Sequence, residues 1–141
     1  MSYEVDVEWD GETGGVIQCN SCSELRLDMP VEFDGQGKGP CPDQLFLASI
    51  SGCLLTTFLH FARRLGADVR SINIRSNAEL SMGEEGYRIR MVFSKILFVA
   101  APEATELAER CARLSKEYCH ITRSLEASFP VDVEIEARAR P

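Results

Sequence analysis

DQLFLASISGCLLTTFLHFARR, residues 43–64, is the stretch that decides the fold. From Gln44 to Ala62 it contains no acidic residue, lysine or arginine. A helix that is apolar on nearly every face has to be buried on every face. We therefore expect this segment to form a long helix through the centre of the molecule.

Cys53 lies at the midpoint of this helix. At about 100° per residue, the residues on the same side as Cys53 are polar, and those on the far side are apolar. The pattern predicts a buried helix with a narrow polar face that carries a thiol. The polar side comprises Ser49, Thr56, Thr57 and His60, and the apolar side Leu47, Leu55, Phe58, Leu59 and Ala62.

The composition is typical of one globular domain spanning residues 1–141. The net charge of −7 disfavours nucleic acid as a partner, since binding to phosphates requires clustered Lys and Arg. The acidic start, MSYEVDVEWD, lacks the basic and apolar regions of a signal peptide. The central helix is long enough to cross a membrane, but its Gln, Ser, Thr and His residues disfavour that interpretation. We expect a cytoplasmic protein that binds neither nucleic acid nor membrane.

Alternation of apolar and polar residues predicts six strands around two helices. Residues Tyr3 to Trp9 alternate in this way, so one face of that strand should be buried. A second helix begins at Pro102 and ends near Tyr118, followed by a short turn or helical segment. The predicted order is β-β-β-α-β-β-α-β, an α+β fold whose mainly antiparallel sheet wraps around the central helix. The other predicted strands are Val16–Cys19, Glu24–Met29, Val69–Ser81, Tyr87–Val99 and Val131–Ala137.

One sheet layer can cover only one side of the central helix. The remaining apolar surface of a single chain is too small to close the opposite side. We therefore expect a homodimer in which two such helices pack together. The small side chains of Ser49, Gly52 and Thr56 would permit their close approach.

Two segments resemble the OsmC/Ohr family of thiol-dependent peroxide reductases. They are GKGPCPDQLFLASISGCLLTTFLH, residues 37–60, and CHITRSL, residues 119–125. The order of strands and helices is similar to that of the family from end to end. The resemblance implies an intertwined homodimer with two buried central helices and an active site at the subunit interface. It also implies reduction of organic hydroperoxides, with hydrogen peroxide as an open alternative, and no cofactor or metal.

The resemblance also implies roles for individual residues. By family position, Cys53 is the peroxidatic cysteine and Cys119 the resolving one. Asp43 stands where relatives have a glutamate that holds an arginine against the thiolate. The chain departs from the family in having no arginine before Arg26, and in having His120 where many relatives have proline.

Peroxide reduction by Cys53 requires a thiolate, and a cysteine of ordinary pKa, about 8.5, needs a nearby positive charge to form one. The helix dipole would lower the pKa of a thiol only within the first turn of a helix, and Cys53 lies beyond that turn. We favour Arg123, because it lies four residues past Cys119, and Arg26 second. The candidates in the sequence are Arg26, Lys38, Arg123 and a protonated His60.

In the predicted cycle, the Cys53 thiolate attacks the O–O bond and becomes a sulfenic acid. Cys119 then captures it as an intramolecular disulfide, and an external dithiol reduces that disulfide. The alternative is a non-catalytic protein of the same family that binds a small apolar molecule. The missing N-terminal arginine keeps that alternative open.

The chain has six cysteines, more than this cycle needs. Cys111 is expected to be a small core hydrophobe. Cys19 and Cys22 form a lone Cys-x-x-Cys motif, for which we expect no role or a local disulfide under oxidation. A zinc site there would need two further ligands. Cys41, or Cys119 with His120, could supply them.

Overall fold

The computed structural model describes residues 1–138, and the chain falls into two compact units. The first unit comprises Met1–Phe46, and the second begins at Leu47. Each unit contains a three-stranded sheet. The predicted α+β class is confirmed, with the strands divided between two sheets.

The N-terminal unit is an antiparallel sheet followed by a loop. Its strands are β1 (Asp6–Trp9), β2 (Gly14–Gln18) and β3 (Leu25–Asp28), paired in that order. The turn between β1 and β2 uses Gly11 at a φ of 87°. Glycine adopts this left-handed conformation without steric cost, which lets the chain reverse. A 3-10 turn, Val31–Phe33, follows β3.

All four residues of β1 are exposed, so the expectation that one face of this strand is buried is wrong for the single chain. Pairing with β2 satisfies backbone groups along one edge but covers neither face of the strand. Trp9 is 72% exposed, and its indole N–H donates to the Glu12 carbonyl oxygen at 3.0 Å. The predicted alternation is present, but its apolar side remains uncovered.

The C-terminal unit is built on a long hairpin. β4 (Val69–Gly83) and β5 (Gly86–Ala100) pair antiparallel, as predicted. β6 (Val131–Ala137) then pairs with β5 in parallel. A parallel neighbour requires a long crossover connection, and the helices between β5 and β6 provide it. The order in this sheet is β4-β5-β6.

The central helix, α1 (Pro42–Leu65), forms where the sequence predicts it. The Gln44 side-chain oxygen accepts a hydrogen bond from the Cys41 backbone N–H at 2.9 Å, as position N3 of a capping box does. At the other end Gly66, at a φ of 72°, terminates the helix. Local sequence signals therefore set both ends of α1.

Two shorter helices connect β5 to β6. α2 (Thr105–Tyr118) follows a 3-10 turn at Pro102–Ala104, and α3 (His120–Leu125) follows α2 after one residue. α2 packs against β5 and β6. Cys111 lies fully buried on α2, and burial raises the pKa of its thiol, in keeping with its interpretation as a core hydrophobe.

α1 buries one face rather than all of them. Ile50, Leu54 and Phe58 are fully buried, and Phe58 packs against Phe98 of β5 with ring centroids 6.2 Å apart. Thr56, on another side of the helix, is exposed. This agrees with the expectation that one sheet layer of a single chain covers only one side of the helix.

By length and composition α1 could cross a membrane, since its mean hydropathy reaches 1.7 over 18 residues. Its packing is that of a core helix. A chain of hydroxyl groups runs from Ser51 of α1 through Ser76 of β4 to the buried Ser94 of β5, with O–O distances of 2.7 Å. This polar link ties the helix to the sheet, where buried polar groups satisfy one another.

Candidate active site

Cys53 lies at the edge of the buried face of α1. Its side chain is 7% exposed, and it shares this face with Ile50 and Leu54. The helical projection grouped Cys53 with Thr56 and His60, but both of these residues are exposed. The thiol therefore belongs to the buried side of the helix, at its boundary with the open side.

Cys119 occupies the junction between α2 and α3. Its backbone N–H donates to the Ser115 carbonyl oxygen at 2.9 Å, which closes the last turn of α2. Its carbonyl oxygen accepts from the Arg123 N–H at 3.1 Å and from the Thr122 hydroxyl at 3.1 Å, which opens α3. The helix breaks at Cys119, where ψ is 106°. Hydrogen bonds on both sides thus fix the direction of this side chain.

The fold brings the two predicted redox cysteines together. Both are free thiols and both are buried, Cys119 completely. Burial, and next a hydrogen bond with Cys53, raise the pKa of the Cys119 thiol. The two side chains are therefore in contact.

A histidine reaches the same sulfur. The Nδ1 atom of His120, the first residue of α3, lies 3.7 Å from the Cys53 Sγ. His120 itself is exposed. The sequence carries one signal for this contact. If Cys119 meets Cys53, then His120, the next residue in the chain, must also lie near Cys53.

The cations expected from the sequence differ in their surroundings. Arg123 is exposed on α3 and, within residues 1–138, forms no ion pair. Lys38 is engaged by Asp10 at 2.5 Å and by Glu12 at 3.3 Å. His60 is exposed, with its ring 5.3 Å from that of Phe61. Of the histidine, lysine and arginine side chains that the structure describes, His120 is the one hydrogen bonded to Cys53.

Two further charged residues, Asp43 and Arg26, were named for the site from the sequence. Asp43 is exposed in the first turn of α1, and Arg26 is exposed on β3. Both belong to the N-terminal unit. Their roles at the thiolate stay predictions.

Cys19 and Cys22 form a disulfide in the connection between β2 and β3. This agrees with the local disulfide considered from the sequence. Within the described part of the chain, no three His, Cys, Asp or Glu side chains are arranged to hold a metal ion. The zinc alternative therefore has no ligand set here.

The N-terminal unit contains a buried, hydrogen-bonded carboxylate, that of Asp28, which the sequence patterns did not predict. The fully buried carboxylate of Asp28 accepts hydrogen bonds from the Thr13 hydroxyl at 2.7 Å and from the backbone N–H groups of Met29, Gln36 and Lys38. These bonds, the one from Thr13 foremost, lower the pKa of Asp28 to about 2 despite its burial. Asp28 thereby ties the loop after β3 to the sheet.

The fold agrees with comparisons to known proteins. The chain belongs to the OsmC family: the family model described as OsmC-like protein matches residues 35–134. Among curated proteins, it is similar to the uncharacterized protein YmaD of Bacillus subtilis, with 20% identity over 98% of this chain and 94% of that protein.

Solved structures share the fold at low sequence identity. An OsmC-like protein from Mycoplasma pneumoniae superposes with a TM-score of 0.83 at 14% identity, covering 99% of each chain. An organic hydroperoxide resistance protein OsmC from Legionella pneumophila, also described as a predicted redox protein, superposes with a TM-score of 0.69 at 22% identity, covering 97% of this chain and 98% of that one. The expected family and fold are therefore confirmed.

Proposed function

We propose that this protein is a cysteine-based peroxide reductase that uses Cys53 and Cys119. The observation that carries the proposal is the contact between these two free, buried thiols. The family includes proteins named for organic hydroperoxide resistance, which supports organic hydroperoxides as the substrate class. The apolar surroundings of Cys53, Ile50 and Leu54 among them, also suit an organic substrate.

The reaction follows from the different environments of the two thiols. The Cys53 thiolate attacks a peroxide oxygen, so that an S–O bond forms and the O–O bond breaks. Cys53 becomes a sulfenic acid, and the alkoxide that leaves takes a proton to give an alcohol. The Cys119 thiol then displaces water from the sulfenic acid and forms a disulfide. An external dithiol reduces this disulfide by exchange and is itself oxidised to a disulfide.

The assignment of roles rests on protonation. A thiolate is the attacking species, and a thiol whose pKa is raised is a poor attacker of peroxide. Because the pKa of Cys119 is raised by burial and by its bond to Cys53, Cys119 suits the second step rather than the first. Cys53 at the edge of the buried face is the sulfur that a peroxide can approach.

A homodimer in the cytoplasm is part of the proposal. Val7 and Trp9 of β1 leave apolar surface exposed, and the open side of α1 includes the small residues Gly52 and Thr56. A Cβ atom at Gly52 would meet nothing within 4 Å, which leaves room for a second helix. Burial of these surfaces in a second copy would lower the free energy by roughly 25 cal/mol per Å² of apolar area. A monomeric mass in light scattering would refute this part.

Steady-state turnover tests the activity. We expect the wild-type protein to consume an organic hydroperoxide with dithiothreitol as the electron donor. Cys53→Ser should abolish consumption. Cys111→Ser is the matched control, since Cys111 is a buried free thiol on another helix, and it should retain turnover. A wild-type protein without Cys53-dependent turnover would refute the peroxidase and favour the non-catalytic binding protein.

A further inference from the structure

The proposed reaction needs a group that ionises Cys53, and the described residues supply a specific one. His60 of the same unit contacts the ring of Phe61, and no hydrogen bond joins Arg123 to Cys53 within the described residues. The His120 ring is the basic group in contact with the Cys53 sulfur, at 3.7 Å from Nδ1. An imidazole can accept the thiol proton at one nitrogen and hold it as a positive charge beside the sulfur.

We propose that His120 is a catalytic residue of this chain, which takes the proton from Cys53 and holds the resulting thiolate as an ion pair. The inference rests on the proposed function for its peroxide step. It assigns to a histidine on the same chain the activation that an arginine supplies in relatives. The chain would therefore be a Cys–His variant within its family.

The proton balance is complete without any further group. The S–H bond of Cys53 breaks, and the proton passes to Nδ1 of His120, which leaves a thiolate and an imidazolium. When the thiolate attacks the peroxide, the imidazolium proton passes to the departing alkoxide oxygen. His120 is then neutral again, and the alcohol leaves. The same residue acts as a base in one step and as an acid in the next.

Two features of the fold suit His120 to this role. First, the start of α3 is fixed by the hydrogen bonds at Cys119, and the Ser124 hydroxyl donates to the His120 carbonyl oxygen at 2.7 Å. The ring is thus carried on a defined backbone. Second, His120 is exposed, so the ring can exchange protons with water while Nδ1 remains at the sulfur.

Few titratable groups lie on the turns of the helices that meet here. Cys53 is the partner on α1, and Cys119 contacts the same sulfur. The thiol of Cys119 and the ring of His120 together give the Cys53 thiolate two hydrogen-bond donors. The other titratable or charged side chains on the neighbouring turns are His60 of α1, Lys116, Glu117 and Tyr118 of α2, and Arg123 of α3.

Alkylation of Cys53 by iodoacetamide tests the ion pair without using peroxide. The rate would be followed at the Cys53 peptide by mass spectrometry from about pH 5 to about pH 10, which spans the ranges in which histidine and an ordinary cysteine change charge. Near neutral pH, His120→Gln should react at least about tenfold more slowly than wild type, the effect of removing one close opposite charge. At alkaline pH, where the thiol ionises unaided, the two rates should converge.

His60→Gln is the matched control, because the chain has two histidines and His60 contacts Phe61 instead of Cys53. It should react at the wild-type rate. Equal rates for wild type and His120→Gln, or an equal loss in both variants, would overturn the proposal.

A second measurement guards against a folding defect in His120→Gln. In the His60→Gln protein, His120 is the one histidine left, and diethylpyrocarbonate can modify its exposed ring. Modification should slow alkylation of Cys53, and removal of the group by hydroxylamine should restore it. An unchanged rate after modification would overturn the proposal. If the wild-type protein shows no peroxide turnover but alkylation of Cys53 depends on His120, the proposed peroxidase activity is refuted and the proposed Cys53–His120 ion pair is supported.

Discussion

Cys19 and Cys22 lie three positions apart and are joined in a loop between two strands, whereas Cys53 and Cys119 are distant in sequence, free, and brought together by three helices. The first pair is half-exposed, and the second is buried. Only the second pair has a histidine at its sulfur, within the part of the chain described. Two cysteines that are close in sequence, such as Cys19 and Cys22, can be joined by a turn alone. The fold of the C-terminal unit is needed to bring Cys53 and Cys119 together beside a histidine.

The two pairs also differ in what holds them. Four residues suffice to close the Cys19–Cys22 loop, so its geometry depends on local backbone. The Cys53–Cys119 contact depends on the whole C-terminal unit, since α1 packs on the hairpin through Phe58 and α2 places Cys119 at its end. Substitution of single cysteines can therefore show which pair contributes to turnover and which to stability.

The largest effect is expected at Cys53. Cys53→Ser removes the attacking sulfur and should lower peroxide turnover by roughly a thousandfold or more, as the loss of a covalent nucleophile does. Cys22→Ser should leave turnover within about twofold of wild type, since that pair is outside the proposed cycle. Turnover measured with hydroperoxide and dithiothreitol decides between them. Comparable losses in both variants would make the two pairs parts of one redox path.

Cys119→Ser should have the next largest effect on the reaction. Cys53 can still be oxidised, but no intramolecular disulfide can form. We expect one rapid turnover followed by slow cycling, with the sulfenic acid of Cys53 accumulating. A dimedone adduct at Cys53, seen by mass spectrometry, reports that species. Wild-type cycling in Cys119→Ser would show that the external dithiol resolves Cys53 directly.

Loss of the Cys19–Cys22 disulfide should change stability rather than turnover. By the loop-entropy relation, a closed loop of four residues stabilises the folded state by roughly 2 kcal/mol. Cys22→Ser should lower the free energy of unfolding by about that amount, measured with urea under oxidising conditions. Under reducing conditions wild type and variant should match. A difference that persists there would point to a packing role for Cys22.

Asp28, which lies in the unit that carries the disulfide, should make the stability of the chain depend on pH. The pKa of Asp28 is lowered to about 2 in the folded chain, chiefly by the Thr13 hydrogen bond, against about 3.9 when unfolded. Its contribution to stability is therefore full above about pH 4 and is lost as the pH falls through about 2. The gap in unfolding midpoint between wild type and Asp28→Asn should narrow over that range. A constant gap would contradict the role of the charged carboxylate.

Much of the fold follows from local signals in the sequence. The helix starts at Pro42 and stops at Gly66 because capping and glycine chemistry act within a few residues. The long hairpin follows from alternation and its turn. The parallel pairing of β6 with β5 depended on a crossover, and local patterns do not report which strand a distant segment joins.

The site was predicted in part. Cys53 and Cys119 were named from the family resemblance, and the structure places their side chains in contact. Their redox roles stay a prediction. The choice of Arg123 as the nearest cation relied on sequence spacing, but α3 is helical and leaves Arg123 exposed, one turn beyond His120. Exposure of both faces of β1 was missed, because a single sequence does not say which apolar faces a single chain covers.

The most direct test of the account is to treat the reduced, full-length protein with one equivalent of an organic hydroperoxide and map its disulfides by mass spectrometry. We expect a new disulfide between Cys53 and Cys119, with Cys41 and Cys111 still free. Cys19 and Cys22 should be in the same redox state as in a sample handled without peroxide. Intact thiols at both Cys53 and Cys119 after the peroxide treatment would contradict it.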